Sequence, residues 1–104
     1  MIIRSWRCIA SGENVVKYMA HFQYSVLPEL RQLAGFQRGY ILQKPAGDGV
    51  ELTVLTFWES MDAIRGFAGD DVERAVVEPA AQAVLRSFDS RVTHYEVILD
   101  TDQL

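Results

Sequence analysis

Residues 50–59, VELTVLTFWE, constrain the fold most, because both faces of this strand-like segment are apolar. Alternate residues of a strand point to opposite sides of a sheet. One set here is Leu52, Val54, Thr56 and Trp58; the other is Thr53, Leu55 and Phe57. Residues 91–99, RVTHYEVIL, behave alike, with Val92, His94, Glu96 and Ile98 set against Thr93, Tyr95, Val97 and Leu99. An antiparallel sheet with one wet face alternates apolar with polar side chains instead. Both faces of this sheet therefore need cover.

The remaining segments supply cover for only one of them. Residues 2–10 are β-branched and aromatic with polar residues interleaved, which predicts a first strand. Ser11 is placed to cap a helix, with Glu13 in its first turn. Val15, Val16, Met19, Phe22, Val26, Leu30 and Leu33 then recur in steps of one to four, the apolar stripe of a helix on a sheet. Pro28 interrupts that stripe and predicts a kink near Leu27; Gly35 is the expected stop. Residues 36–44 form a second strand, joined to the third as a hairpin through Pro45-Ala46-Gly47-Asp48-Gly49. Ser60 caps a short helix that has Asp62 in its first turn, carries Ile64 and Phe67 and ends at Gly69. Asp70 and Glu73 have capping-box spacing and predict a further helix through Val72, Val76, Ala80, Val84 and Leu85, bent at Pro79.

The order is β-α-β-β-α-β, a ferredoxin-like α+β arrangement with helices on one face of a four-stranded antiparallel sheet and one domain over residues 1–104. The other face would be an apolar patch of roughly several hundred Å², more than soluble monomers usually expose. A second copy placed face to face covers it, so the expected state is a homodimer.

Composition excludes several function classes. The 104 residues carry a formal charge of −4 and no basic stripe, which disfavours nucleic acid as a partner. Cys8 is the only cysteine, so neither an intrachain disulfide nor a cysteine zinc site is expected. No apolar run approaches membrane-spanning length and no export signal is seen, so a cytoplasmic protein without membrane contact is expected. There is no glycine-rich phosphate loop, no GxSxG and no Cys/His nucleophile pair.

Seven short stretches, taken in order, resemble the antibiotic biosynthesis monooxygenase superfamily of dimeric α/β barrels. They are Ile3-Arg4-Ser5-Trp6-Arg7, Val26-Leu27-Pro28, Gly39-Tyr40, Phe57-Trp58-Glu59-Ser60, Phe67-Ala68-Gly69-Asp70, Ala75-Val76-Val77-Glu78-Pro79 and His94-Tyr95-Glu96-Val97. The resemblance spans nearly the whole chain. It implies paired subunits, each with a pocket between sheet and helices, and two known activities: cofactor-free oxygenation of phenolic polyketides and haem degradation. In the haem-degrading branch the iron-ligating histidine falls at Val77 by gapless match, the ring-distorting tryptophan at Phe67, and the first-strand asparagine has no counterpart. Valine cannot ligate iron, so the resemblance favours the branch with no cofactor, using O2 and a small aromatic or quinol-like ligand.

That chemistry needs a base, a donor for the developing oxyanion and a dry aromatic pocket. His94 is the expected base, with Glu96 two residues on along the same face. Arg4 and Trp6 share a face of the first strand, which neighbours the last in this fold; Arg4 would stabilise an anion and Trp6 stack on a ring. Tyr18, His21 and Phe67 complete the expected substrate contacts. The competing reading is a structural Arg–Glu pair beside a packed histidine and tryptophan, with His21 facing solvent. Tyr40 and Tyr95 are either pocket hydroxyls or core. No spacing marks a metal site among His94, Glu96 and His21.

Overall fold

A computed structural model describes residues 1–104. Its centre is a twisted antiparallel sheet in the order β2-β3-β1, with β4 and β5 both on the outer edge of β1. Strand β1 is Ile2–Ala10, β2 Phe36–Ala46 and β3 Gly49–Trp58; β4 is Ser87–Phe88 and β5 Thr93–Glu96. The expected four-stranded sheet is thus a five-stranded one, because the last strand is broken in two.

Register sorts the side chains as alternation predicts. Arg4 lies between Thr56 and His94, Trp6 opposite Val54, and Cys8 opposite Leu52, all on the helix-covered face. There Leu52, Val54 and Trp58 are buried, and the Trp58 indole N–H donates to Thr56 Oγ1 at 2.9 Å. Ile3, Leu55, Phe57, Tyr40 and Tyr95 line up on the opposite face. No α-helix packs on that side; the C-terminal segment, with a 3-10 turn at Thr101–Gln103, borders Ile3 and Phe57, and Tyr40 and Tyr95 are exposed there rather than in a pocket or core.

The first helical stretch forms where the stripe predicts. Ser11 Oγ accepts from Asn14 N, and helix α1, Val15–His21, follows. Phe22–Val26 is a π turn, in which Leu27 N–H reaches back five residues to Phe22 O, before α2, Leu27–Gln32. Pro28 has no N–H and its ring would strike the carbonyl four residues earlier, so the chain takes a wider turn there. Gly35 adopts φ 89°, and a Cβ at that site would lie 2.5 Å from the Ala63 Cβ. Gly47, φ 60°, makes a two-residue turn of the hairpin, so β2 runs on through Pro45. Ser60 caps α3, Met61–Ala68, through Ala63 N–H.

The helix expected from Asp70 is not formed. Only Pro79–Gln82, α4, is helical, and residues 70–78 run as an irregular strap across the helix-covered face. The backbone groups a helix would use are taken elsewhere. Arg4 claims the carbonyls of Val72 and Arg74, Val92 N–H donates to Glu73 O, and Ala75 N–H donates to Ser90 O. Asp71 and Glu73 both bind Arg91, at 2.9 and 3.3 Å, instead of capping a turn. Pro79 completes the exclusion, since the residue before a proline avoids helical backbone and Glu78 is extended, ψ 153°. The same strap explains the broken last strand: residues 90–92 leave β1 to pair with it. No helix is long and apolar enough to cross a membrane.

Candidate functional site

A cavity of about 60 Å³ lies between the sheet, the first helical stretch and the strap. Its floor is the inward set of β1 and β3, which brings Arg4, Trp6, Val54 and Thr56. Tyr18, His21 and Phe22 come from α1 and the π turn, Phe67 from α3, and Val76, Val77 and Glu78 from the strap. At the ~10–15 Å³ one water needs, it holds roughly four to six waters.

Arg4 is the dominant charge. Its side chain is inward on a central strand and the residue is 4% exposed. Nη1 donates to Val72 O at 2.5 Å and to His94 Nε2 at 2.9 Å, and Nη2 donates to Arg74 O at 2.8 Å. No carboxylate pairs with it; the ion pairs of the chain involve Arg7, Lys44, Arg65, Arg86 and Arg91. Of five guanidinium N–H groups three are used, which leaves Nε–H and one N–H of Nη2 without a partner in the chain. The guanidinium carbon also sits 5.7 Å from the Phe67 ring centroid. Desolvation, and then the Arg74 charge, lowers the pKa of Arg4 from 12.5 to about 10, so it stays charged near neutrality.

His94 faces Arg4 across the β1–β5 ladder. A guanidinium only donates, so Nε2 is the acceptor and the imidazole proton sits on Nδ1. Desolvation, then Arg4, holds its pKa below the ordinary 6.5, against an opposing effect of Glu73. His94 stands behind Arg4 and outside the cavity wall. Glu96 pairs with Ile2 in register, is exposed, and makes no ion pair; the carboxylate that His94 senses belongs to Glu73 on the strap. The expected grouping of Arg4, Trp6, His94 and Glu96 therefore divides. Arg4 and Trp6 enter the cavity, His94 touches it through Arg4, and Glu96 stays apart.

Trp6 donates from Nε1 to Asp89 O at 2.7 Å, which fixes its ring, and that ring lies 6.1 Å from Tyr18. Tyr18 is 4% exposed, and burial, with a smaller effect of Cys8, pushes its hydroxyl pKa up. Tyr18 and His21 rings are 6.3 Å apart, and His21 is half-buried in the wall rather than wholly in solvent. No three metal-binding side chains converge anywhere. Cys8 is buried, and burial, then Asp89 and Glu51, pushes its thiol to about 12, which makes it inert.

Sequence reasoning missed Glu78 and the strap. The Glu78-Pro79 pair was the available signal, because it forces an extended residue just before a helix start. Thr56, the one polar member of its inward set, was equally visible.

No protein-family model matches the sequence, and no curated protein matches it at a significant level. Solved structures do match. A single-substitution variant of MhuD with two manganese protoporphyrin IX bound per active site superposes with a TM-score of 0.67 at 18% identity, over 96% of this chain and 97% of that one. A Bacillus cereus protein provisionally named an antibiotic biosynthesis monooxygenase gives 0.59 at 16% identity, over 95% and 94%. Rv0793 from Mycobacterium tuberculosis gives 0.58 at 16%, over 95% and 96%. Identities this low speak to fold alone. In fold, this chain is a ferredoxin-like α+β protein similar to these three structures, the fold that the resemblance in its sequence implies.

Proposed function

We propose that the chain is a small cofactor-independent monooxygenase that oxidises a phenolic or quinol-like ring with O2, working as a homodimer in the cytoplasm. The observation that carries the reading is Arg4, a guanidinium 4% exposed, without a carboxylate partner, in the wall of an aromatic cavity. Burying an uncompensated charge is costly, and a bound phenolate would supply the missing negative charge.

The chemistry runs as follows. His21, the imidazole in the cavity wall, takes the phenolic proton. The oxyanion binds the free Nε–H and Nη2–H of Arg4, while Trp6 and Phe67 hold the ring. The anion passes one electron to O2, and the radical pair closes a carbon–oxygen bond to a ring peroxide. Loss of the C–H proton and cleavage of the O–O bond then leave a quinone carbonyl and water. One oxygen atom enters the product and the other leaves as water. The substrate supplies all four electrons, so no external reductant is needed. His94 is a positioning residue, holding Nη1 turned away so that the opposite edge of the guanidinium faces the cavity.

A porphyrin fits poorly. Val77 stands in the cavity wall at the position the resemblance gives to the iron ligand, and about 60 Å³ is far below a tetrapyrrole. Even one ring needs more room, since an apolar cavity of about 150 Å³ is what takes benzene. The strap must yield to admit substrate; it has no regular structure and Val76 on it is exposed. A second reading, a non-catalytic barrel that binds a small hydrophobic ligand or serves as a stress or regulatory module, draws on this small volume and on His94 being hydrogen-bonded to Arg4.

The homodimer rests on the uncovered face. The accessible surface is 6620 Å², against about 5,900 Å² for a folded monomer of 11.8 kDa. Tyr40, Leu42 and Tyr95 are about half exposed on that face. The test of function is oxygen consumption by purified, metal-stripped protein with anthrones, hydroquinones and polyphenols, beside His21→Gln. Uptake that falls at least 100-fold in the variant supports the oxygenase with His21 as base. Uptake unchanged by the variant keeps the enzyme and removes that base. No uptake with any compound, from a folded dimer, leaves the binding module.

A further inference from the structure

The polar ties of the strap centre on Arg4 and on the 90–92 segment. Residues 70–78 have no regular structure of their own. Arg4 Nη1 holds Val72 O at 2.5 Å, and Nη2 holds Arg74 O at 2.8 Å. Two backbone bonds reach the 90–92 segment, Ala75 N–H to Ser90 O at 2.9 Å and Val92 N–H to Glu73 O at 2.8 Å. Arg91 adds exposed ion pairs with Asp71 and Glu73, which contribute little. The strap residues that follow, Val76, Val77 and Glu78, wall the cavity.

His94 shares the nitrogen of Arg4 that holds Val72. Nη1 is 2.9 Å from His94 Nε2, and that contact exists only while Nε2 carries no proton. A proton there sets two donors and two positive charges face to face, and they repel. Both ways of escape loosen the strap. If the guanidinium turns, Nη1 and Nη2 leave Val72 O and Arg74 O. If the imidazole withdraws, it pulls on Val92, two residues back along the chain, whose N–H holds Glu73 O. The charged groups bearing on His94 are Arg4 from β1 and Glu73 from the strap; Arg74 bears on Arg4, and Glu96 on β5 itself is exposed. Burial and Arg4 outweigh Glu73, so His94 resists protonation while the strap is closed, and opening returns it towards the ordinary 6.5. Acid therefore favours the open strap.

We propose that His94 is a proton-operated latch: with Nε2 bare it steadies Arg4 on the strap carbonyls, and with a proton on Nε2 it breaks that hold, so that the strap lifts and the cavity opens. The latch responds as pH falls below about 6.5, and His94 is only half-buried, so protons reach it from solvent. That the opening admits a ligand rests on the reading of the cavity as the substrate site. The latch itself does not, because it is a property of the strap.

The test is amide exchange followed by NMR from pH 7.5 to pH 5 in wild type, His94→Gln and Glu73→Gln, each rate divided by its intrinsic rate. Ala75 and Val92 N–H bridge the strap and the 90–92 segment and report its opening; N–H groups of β1 and β3 report on the whole fold. Wild-type strap reporters should lose about 10-fold in protection, near the low end for one hydrogen bond to a charged group. That lies within the roughly 30-fold which one group of open-form pKa 6.5 allows over this range. His94→Gln keeps an acceptor that takes no proton, so its protection should change less than 2-fold. Glu73→Gln keeps His94 and should respond at least as strongly as wild type. Constant or rising protection in wild type, an equal loss in His94→Gln, or a response abolished in Glu73→Gln would overturn the latch. Strap reporters as protected as β1 and β3 would overturn it too, since the strap would then open only with the whole fold. In stopped flow read by tryptophan fluorescence, 1-naphthoate, an anion throughout this range, should bind faster at pH 5 in wild type and equally fast at both ends in His94→Gln. Equal rates in wild type would overturn the gating of the cavity. A strap loosened by acid, with no naphthoate binding at either pH, would support the latch and overturn the reading of the cavity as a ligand site.

Discussion

Replacing Arg4 with methionine separates the cost of a buried cation from its structural use. The downward shift of its pKa from 12.5 to about 10 corresponds to about 3 kcal/mol held against the charged, folded form at neutral pH. The guanidinium returns three hydrogen bonds, to Val72 O, Arg74 O and His94 Nε2. At about 1 kcal/mol net each these are worth about 3 kcal/mol. The two sums nearly cancel. Methionine fills similar space without charge, and cutting the clasp frees the strap carbonyls to find water near the cavity. The expected change in stability is therefore within about 2 kcal/mol either way. In a domain this size that is a melting shift of no more than about 15 °C, readable by circular dichroism. Affinity for an anionic ring, measured by calorimetry in the same samples, should fall at least 100-fold, since a fully desolvated charge-assisted contact is removed. A variant that is more than about 4 kcal/mol less stable would refute the reasoning. Arg4 would then be a structural clasp whose bonds outweigh its burial, and its exposure to the cavity would be incidental. A stable variant that still binds the anion would refute it from the other side.

Two further outcomes follow from the same geometry. His94 has its pKa lowered in the folded state, so the unfolded chain binds more protons between that value and about 6.5, and stability must rise with pH through this window. Acidification from pH 7 should lower the melting temperature as His94⁺ loses its acceptor nitrogen beside Arg4, and His94→Gln should flatten that slope; an unaltered slope would place the titration elsewhere. Leu55→Asp, on the uncovered sheet face, should reduce the mass in light scattering from twice 11.8 kDa to one chain at micromolar concentration, while a wild type that is already monomeric removes the argument for the pair.

What could be read in the sequence, and what could not, divides along the range of the forces involved. The strands, the hairpin at Gly47 and the Ser11 and Ser60 caps depend on neighbours a few residues away, and those neighbours are in view. The inward facing of Arg4 and Trp6, and of Thr56 opposite Arg4, follows from a two-residue period alone. The strap does not. Residues 70–85 carry a helical apolar spacing and a capping-box pair, and local propensity favours a helix there. The contacts that prevent it come from Arg4, 68 and 70 positions away, and from the 90–92 segment. No local pattern encodes them.

This is also why the roles expected of His94 and Glu96 shifted. Both lie on the inward face, as alternation requires, but Glu96 is exposed at the sheet edge, and the strap puts Glu73, not Glu96, near the imidazole. One long-range arrangement thus accounts for the lost helix, the broken last strand and the occupants of the cavity wall. Arg4 sits at its centre, with one edge of the guanidinium spent on holding the strap and the other left without a partner. A residue serving only to hold the strap would gain by a carboxylate beside it, and the chain places its nearby carboxylates, Asp71 and Glu73, on Arg91 instead. That allocation keeps a positive charge in the cavity, and it is the strongest physical argument that the charge is kept for a ligand.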